Sequence, residues 1–461
     1  MISRRPAGMA AFAICLISLW LSGSPARADD DTRPEVTLEG PLTADECVRL
    51  ALERNYGIRQ AADLKGIEDS NKLRAWGGFV PSVNLGYDYV HSNSLSESRP
   101  TSVFQAPFRN IDDQNGWSII ASQTLLSLPV IYNIISAGRN SGAAEAEVRS
   151  AELTAARIVR QQYYNVIESI KLDEVAREDV RLAGEELRRT QSLFEVGSVA
   201  RTDVLKSNVR VSEAQSTLTA ATNRIEIERA RLNQALALPP DVTVQVIESL
   251  EPRDGNPDSV TAFTAALAER PDLRAARKRL SAARADQKAA LGGKIPFLSH
   301  SFRKGNTDSR GDGRIFNNEF GIDTTFVRTN TKSWSYQIGV SWNILDGLVT
   351  ESNMQRAKYN KLLQEHQLLE LENTALVETK EALVAIRNAR AQILVAREGR
   401  TSAEEDLNLS QERYSVGLGT ILELIDAQVN VSRARTGEVT AMAALKRAEA
   451  QLDEAVGRIN W

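Results

Sequence analysis

The feature that most constrains this chain is an alanine that recurs at every seventh position near its C-terminal end. The series is Ala427, Ala434, Ala441, Ala448 and Ala455. Three positions before most of these alanines stands a larger apolar residue: Leu424, Val431, Leu445 and Leu452, with Glu438 as the exception. This is the a/d pattern of a coiled coil with small residues at d, which allow two helix backbones to approach closely. The pattern predicts a long helix with a narrow packing seam.

The same segment occurs once before in the chain. Residues Phe194 to Gly197 match Tyr414 to Gly417, at an offset of 414 − 194 = 220 residues. With that offset, four small residues fall on the alanine series: Ser207, Ala214, Ala221 and Ala235. Farther upstream, segment 77–81 pairs with segment 292–296 at an offset of 292 − 77 = 215. A period this long indicates duplication of a whole unit, not a short-repeat solenoid.

The duplication and the start of the chain predict four segments. Two arginines, an apolar run over 10–21 and the small residues Ala26 and Ala28 follow the order of a secretory signal peptide, which we assign to residues 1–28. The first repeat covers 29–240, a linker covers 241–257 and the second repeat covers 258–461. No later apolar run reaches the ~20 residues of a membrane-spanning helix. The net charge of −4 does not favour a nucleic-acid partner.

Each repeat predicts a helix, two strands, a long helix and a shorter returning helix. Thr43 and Glu46 match a capping box, so the first helix should run from Thr43 to about Trp76. Apolar and polar residues alternate on either side of a polar loop at 92–116, which predicts one strand before the loop and one after it. The long helix that follows carries a heptad stripe with Asp173 as its one exception: Val159, Val166, Val180, Leu187 and Phe194.

The second repeat predicts the same order. A helix over 259–291 precedes a weakly alternating strand to about 304 and a polar loop to about 333. The last strand alternates most clearly, with one apolar face: Trp334, Tyr336, Ile338, Val340, Trp342 and Ile344. The next long helix has leucines at heptad spacing: Leu362, Leu369, Leu376 and Leu383. A short apolar run at 242–247, in the linker, is a candidate for one further strand.

The predicted strands have the aromatic content of membrane strands. Three of the 6 tryptophans lie on them, beside Tyr87, Tyr89 and Tyr336, and aromatic residues concentrate at membrane interfaces. Any one strand alone would also fit a half-buried soluble sheet. Four strands cannot close a barrel, because the smallest outer-membrane barrels need about 8 and an open edge in lipid leaves backbone groups unpaired. The barrel must be shared: two chains would give about eight strands and a filled interior, and three about twelve with a lumen. The many long helices favour a barrel shared by three chains.

The two tip segments resemble a known family. Residues 413–427 and 194–205 are similar to the paired helical tips of the TolC family of outer-membrane channels, and the resemblance extends over nearly the whole chain after residue 28. It implies an α+β membrane protein with two tandem repeats and a homotrimer. The trimer would form a shared 12-stranded outer-membrane β-barrel, with 4 strands per chain, that continues into a long periplasmic α-helical coiled-coil barrel. The implied function is the exit duct of a tripartite efflux pump or a type I secretion system, which passes small molecules or proteins.

The resemblance also implies partners and site residues. The partners are an inner-membrane pump and a periplasmic adaptor, in addition to outer-membrane lipid. The expected adaptor-docking residues lie in the two glycine turns: Val196, Gly197, Ser198, Val416, Gly417 and Leu418. Three residues match the family's gate: Thr202, Asp203 and Tyr414. Glu423 and Asp426 match its acidic ring and predict a cation-selective entrance.

Little in the sequence favours catalysis, a metal or another cofactor. The 3 histidines, at 91, 300 and 366, stand near no nucleophile motif. The predicted loop with Asp308, Asp312 and Asp323 does not have the spacing of an EF-hand. We therefore expect no enzyme activity and no cofactor. The alternative function is an exported periplasmic coiled-coil scaffold or chaperone with no channel.

Overall fold

The computed structural model describes residues 40–96, 108–247, 249–250, 258–317 and 321–459. The compact unit Leu42–Trp461 contains every helix and strand discussed below. The expected signal peptide at 1–28 and residues 251–257 of the predicted linker lie outside the described residues.

The first half of the chain forms two short helices, two strands, a very long helix and a returning helix. They are α1 (Ala44–Arg54), α2 (Tyr56–Gly77), β1 (Ser82–Ser96), β2 (Phe108–Leu126), α3 (Leu128–Glu195) and α4 (Arg201–Ala235). The second half repeats this order. Its elements are α5 (Ser259–Glu269), α6 (Pro271–Leu291), β3 (Phe297–Asn317), β4 (Gly321–Ser341), α7 (Val349–Ser415) and α8 (Ile421–Val456). The predicted tandem organisation of elements is confirmed.

The first helix of each repeat is broken, where the sequence predicted one continuous helix. The capping box of Thr43 and Glu46 is present at the start of α1. Asn55 then takes an extended ψ of 127° and its side chain accepts hydrogen bonds from the N–H groups of Gly57 and Ile58. Asn55 thus caps a new helix. In the second repeat Pro271 stands at the first position of α6, which forces the residue before it out of the helical region.

The long helices contain 68 and 67 residues, so each spans about 100 Å at ~1.5 Å per residue. Among the described residues, no helix combines the length and the apolar character needed to cross a membrane. The alanine seam of α8 is buried at Ala427, Ala441, Ala448 and Ala455 and half-buried at Ala434. The rods therefore pack through small residues, as the sequence predicted for α8.

The predicted apolar stripe of α3 is buried at Val159 and Val166 and reaches the surface towards the tip, and the predicted leucine stripe of α7 lies at the edge of the buried face. On α3 the residues buried towards the tip include Ala176, Ala183 and Thr190, whereas Phe194 is 43 % exposed. On α7 the buried positions include Ala375, Ala382, Ile386 and Ile393, whereas Leu369 is 57 % exposed. A helix of 3.6 residues per turn drifts relative to a seven-residue repeat. The buried face therefore leaves the predicted heptad positions, and it carries small residues towards the tip of α3 and alanines with isoleucines on α7.

The four strands form one antiparallel sheet in the order β1-β2-β3-β4. Strand β2 of the first repeat pairs with β3 of the second, for example at Ile119 and Lys304. A bulge interrupts this pairing between Thr124 and Leu126. Within the described residues β1 and β4 each pair on one side only, so the sheet has two open edges.

The strands are longer than predicted, and the two predicted polar loops are mostly strand. At ~3.3 Å per residue, the 21 residues of β3 span about 70 Å, which exceeds the ~30 Å hydrocarbon core of a bilayer. Asp308, expected in a loop, lies on β3 and accepts two hydrogen bonds from Arg328 on β4, at 2.6 and 3.1 Å. Asp312 and Asp323 are also strand positions, paired with Phe326 and Ile315. The sequence predicted loops here because polar residues have a low β-propensity. In the structure, pairing with the neighbouring strand outweighs that low propensity.

In its described residues, 241–247 and 249–250, the predicted linker forms one isolated bridge and no full strand. Leu42 and Val246 form an isolated parallel bridge. The Tyr163 hydroxyl on α3 donates hydrogen bonds to the carbonyls of Leu42 and Ile247, at 3.1 and 3.0 Å. The linker is thereby attached to the middle of the first long helix.

Candidate functional site at the helical tip

Two tight turns close the tips of the helical hairpins. The first joins α3 to α4 at Gly197, where φ is +77°. The Ser198 N–H donates to the Leu193 carbonyl at 2.8 Å, and the Gly197 N–H donates to Phe194 at 2.9 Å. These bonds form a Schellman-type cap, which favours glycine because other residues are strained at positive φ.

The second turn, between α7 and α8, has the same geometry. Gly417 has φ +78°, and the Leu418 N–H donates to the Arg413 carbonyl at 2.8 Å. The apolar side chains of the two turns are strongly exposed: Val196 at 74 %, Val416 at 68 % and Leu418 at 74 %. Ser198 is exposed as well. All six predicted docking residues therefore lie on the surface of the two turns.

The two tips pack against each other. A buried cluster contains Leu407 and Tyr414 of α7 with Leu424 of α8. Leu193 of α3 and Val199 of the first turn pack on the same cluster. The two hairpins are therefore held together near their turns, which places the docking residues and the gate residues of one chain at one end of the rods.

Tyr414, a predicted gate residue, is buried in this cluster. Its side-chain hydroxyl has no hydrogen-bond partner among the described residues. Burial raises the pKa of the Tyr414 phenol, the Thr190 hydroxyl acts against that rise, and the charges on Glu186 and Asp203 add to it. Asp203 is half-buried in the first turn of α4, and Thr202 beside it is exposed. The structure therefore brings Tyr414 and Asp203 into one electrostatic environment without a hydrogen bond between them.

A buried polar network that the sequence analysis missed lies beside Tyr414. Thr190 is fully buried, and its hydroxyl donates to the Glu186 carboxylate at 3.2 Å. The Ser207 hydroxyl of α4 donates to Thr190 at 3.3 Å. Burial raises the pKa of the Glu186 carboxyl, and Arg189 and Thr190 oppose that rise. The available signal was Ser207, which takes an alanine-seam position in the duplicated tip.

The predicted entrance residues are exposed at the start of α8. The Thr420 hydroxyl accepts a hydrogen bond from the Glu423 N–H at 3.2 Å, which is one half of a capping box. The Glu423 carboxylate points instead towards Arg413, with 3.9 Å between the charged atoms. Asp426 lies one turn farther along and is exposed. Both carboxylates therefore lie on the surface of the chain and not in its interior.

The rest of the described chain offers little for chemistry. Among the residues described, no group of three or more His, Cys, Asp or Glu side chains is arranged to hold a metal ion. His91 binds the Asp113 carboxylate at 2.6 Å, and His300 contacts the Gln123 side chain at 3.1 Å. Burial raises the pKa of the Cys47 thiol to about 12, so this cysteine is an inert core residue.

A four-stranded sheet with an exposed apolar face, carried on paired helices of about 100 Å, is the architecture of an outer-membrane channel. The sequence model of the family described as "Outer membrane efflux protein" matches residues 49–238 and 263–458. These segments cover most of the chain, and the protein belongs to this family. The predicted family and its outer-membrane location, with the helices in the periplasm, are confirmed. The family is one of channels and not of enzymes.

Individual relatives agree with this assignment. The chain is 22 % identical over 428 residues to the outer membrane protein TolC of Escherichia coli K12, which covers 91 % of this chain and 81 % of that protein. The Campylobacter jejuni CmeC outer membrane channel superposes with a TM-score of 0.74 at 17 % identity, covering 90 % of this chain and 85 % of that one. The outer-membrane channel OprN gives 0.73 at 20 %, covering 90 % and 89 %. Structures this distant in sequence establish the fold.

Proposed function

We propose that three copies of this chain form the exit duct of a tripartite efflux pump or type I secretion system. The observation that carries the proposal is the sheet, whose two edges have no partner in the described chain. Its apolar side chains are exposed, for example Leu85 at 70 % and Val340 at 71 %. An open edge is not tolerated in lipid, and pairing edge to edge among three chains gives about twelve strands and a lumen.

In such a trimer the helical tips converge at the periplasmic end. Six carboxylates, from Glu423 and Asp426 of each chain, would then line one opening. Close carboxylates repel one another, so they favour cations at the opening and raise some of their own pKa values. Behind them, Tyr414 with Thr202 and Asp203 forms the gate, and Glu186 and Thr190 support the buried phenol.

The test is a planar-bilayer recording of the purified trimer. The wild type should give a cation-selective channel of low conductance that trivalent metal complexes block from the tip side. Glu423→Ala with Asp426→Ala should remove the block and much of the selectivity, whereas Tyr414→Phe with Asp203→Ala should raise conductance and leave selectivity in place. Protein that stays soluble and monomeric without detergent, with no channel activity, would overturn the duct and favour the periplasmic scaffold.

The two turns are the proposed docking site for a periplasmic adaptor that links the duct to an inner-membrane pump. The turns need glycine for their backbone conformation, but helix capping alone does not require exposed Val196, Val416 and Leu418. No other atom lies within 4 Å of a Cβ built at Gly417, so a bulky side chain there would point into solvent. Gly417→Trp should stop export and leave the trimer intact. Gly417→Ala, which imposes the same strain at positive φ without the bulk, is the control, and equal effects of the two changes would contradict docking at the turn.

A further inference from the structure

Residues that pair across the four strands form rows on each face of the sheet. On the outward face, the side chains of successive rows change from apolar to charged towards the hairpin ends. Register places one apolar row across the four strands: Tyr336, Phe302, Ala121 and Val83. The next row contains Trp334, Ile119 and Leu85 together with Lys304. The row with Tyr89 and Asp308 is the last described row on this face that contains an aromatic side chain. Aromatic side chains on membrane strands lie at the level of the lipid headgroups.

The next row consists of charged and ionisable side chains. Arg328, Arg310, Asp113 and His91 stand side by side across the four strands. Two arginines directly opposite each other on one face repel unless an anion lies between them. Lys332 adds a third positive charge two rows closer to the apolar band.

The acidic side chains of this region are already engaged. Asp113 is bound by His91 at 2.6 Å and by the Tyr89 hydroxyl at 3.3 Å. Asp308 is bound by Arg328 at 2.6 Å. Within the described part of the chain, Arg310 is exposed and its guanidinium makes no hydrogen bond or ion pair, although its charge interacts over a longer distance with the carboxylates of Asp113 and Asp308. The cluster therefore has an excess of positive charge and one free planar donor group.

We propose that Arg310 and Arg328, with Lys332 below them, bind the phosphate groups of a phosphorylated lipid in the outer leaflet. The helices leave the sheet at its other end, so this row faces the exterior side of the membrane. Arginine binds phosphate through paired N–H donors, and a phosphate between Arg310 and Arg328 relieves their repulsion. The position just beyond the aromatic rows matches the depth of a lipid phosphate and favours an acylated ligand over a free anion.

The experiment measures binding of bisphosphorylated lipid A to the full-length protein in a non-ionic detergent by native mass spectrometry. Dephosphorylated lipid A and inorganic phosphate are the comparison probes. Each positive charge near a membrane surface contributes about fivefold to anionic-lipid binding, so Arg310→Gln with Arg328→Gln should lower the affinity roughly thirtyfold. Arg310→Lys with Arg328→Lys keeps the charge and should lose only a few-fold, which separates lipid binding from misfolding.

Arg303 is the matched control. It lies on β3 like Arg310 but on the opposite face of the sheet, opposite Ser335, and it is also exposed. Arg303→Gln should leave lipid binding unchanged, and Asp308→Asn, which releases Arg328, should preserve or strengthen it. The proposal is overturned if Arg303→Gln loses as much as the double variant, if the double variant loses nothing, or if dephosphorylated lipid A binds equally well. Displacement by equimolar inorganic phosphate would also overturn it, because the site would then be a simple anion site.

Discussion

The returning helices α4 and α8 come from equivalent positions of the two repeats, and they are buried to different extents. Leu424 and Val431 of α8 are fully buried, whereas their counterparts Val204 and Val211 on α4 are only partly buried. Leu205, the neighbour of Val204, is 57 % exposed. Near the other end of the hairpins Leu232 and Leu452 are both buried: Leu232 at 0 % and Leu452 at 4 % exposure. The difference is thus concentrated towards the tip.

The reason for the difference is the number of neighbours. Helix α8 packs on α7 and on α3 of the same chain, whereas α4 packs mainly on α3. An equal pattern of apolar residues therefore gives a core helix in one repeat and a half-covered helix in the other. In the proposed trimer the uncovered face of α4 receives the next subunit, as helix packing in a closed ring requires.

The largest expected effect comes from an ion pair that only the first hairpin has. Arg210 of α4 donates to Asp179 of α3 at 2.5 Å, and both side chains are less than 10 % exposed. The equivalent positions of the second hairpin are Gly399 and Asn430. Asp179→Ala leaves a buried arginine without its partner and should destabilise the first hairpin by about 3–5 kcal/mol. Hydrogen exchange along α3 and α4 measures the loss.

A paired replacement provides the control. Asp179→Leu with Arg210→Met removes both charges, keeps the volume and should restore most of the protection. Equal protection in the wild type and in Asp179→Ala would show that the pair contributes nothing to holding α4 on α3.

The second prediction compares a buried leucine of α8 with an exposed leucine of α4. Leu424→Ala removes a fully buried side chain and should cost about 3 kcal/mol, within the range for buried leucines. Leu205→Ala should change the unfolding of the helices by well under 1 kcal/mol within one chain, because the side chain is more than half exposed. In the trimer Leu205→Ala should weaken subunit association.

Two measurements separate these effects. The midpoint of thermal helix unfolding reports on the chain, and the temperature at which the oligomer dissociates on a gel reports on the subunit contact. A lower dissociation temperature for Leu424→Ala alone, with Leu205→Ala unchanged in both assays, would contradict the proposal that α4 faces the next subunit.

The smallest expected effect concerns the helix caps. Thr420 caps α8 through its hydroxyl, whereas Ala200, the equivalent residue before α4, provides no side-chain cap. Thr420→Ala should destabilise the second tip by about 1 kcal/mol, and Ala200→Thr should stabilise the first by a similar amount. Protease cleavage at the two turns measures both changes: it should become faster at the second turn in Thr420→Ala and slower at the first turn in Ala200→Thr. A shift of the same sign in both variants would contradict the prediction.

The site could be predicted in part from sequence. The glycine turns were predictable because a left-handed position after a helix favours glycine, and the duplication showed the same signal twice. The buried network of Glu186 and Thr190 was not, because neither polar residue lies on the apolar stripe that marked the helix: Glu186 precedes Leu187, and Thr190 lies between Leu187 and Phe194. The charged row with Arg310 and Arg328 was also hidden, since it depends on strand register across two repeats.

The sequence by itself determined the tandem repeat, the order of helices and strands, the tip turns and the small-residue seam of α8. All of these follow from local conformational preferences and from periodicity along the chain. Only the tertiary structure decided which face of each long rod is buried, where the short helices break in three dimensions, and how far the strands continue past their apolar band. Those properties depend on neighbours distant in sequence: the same seam pattern is covered on α8 by two helices and on α4 by one.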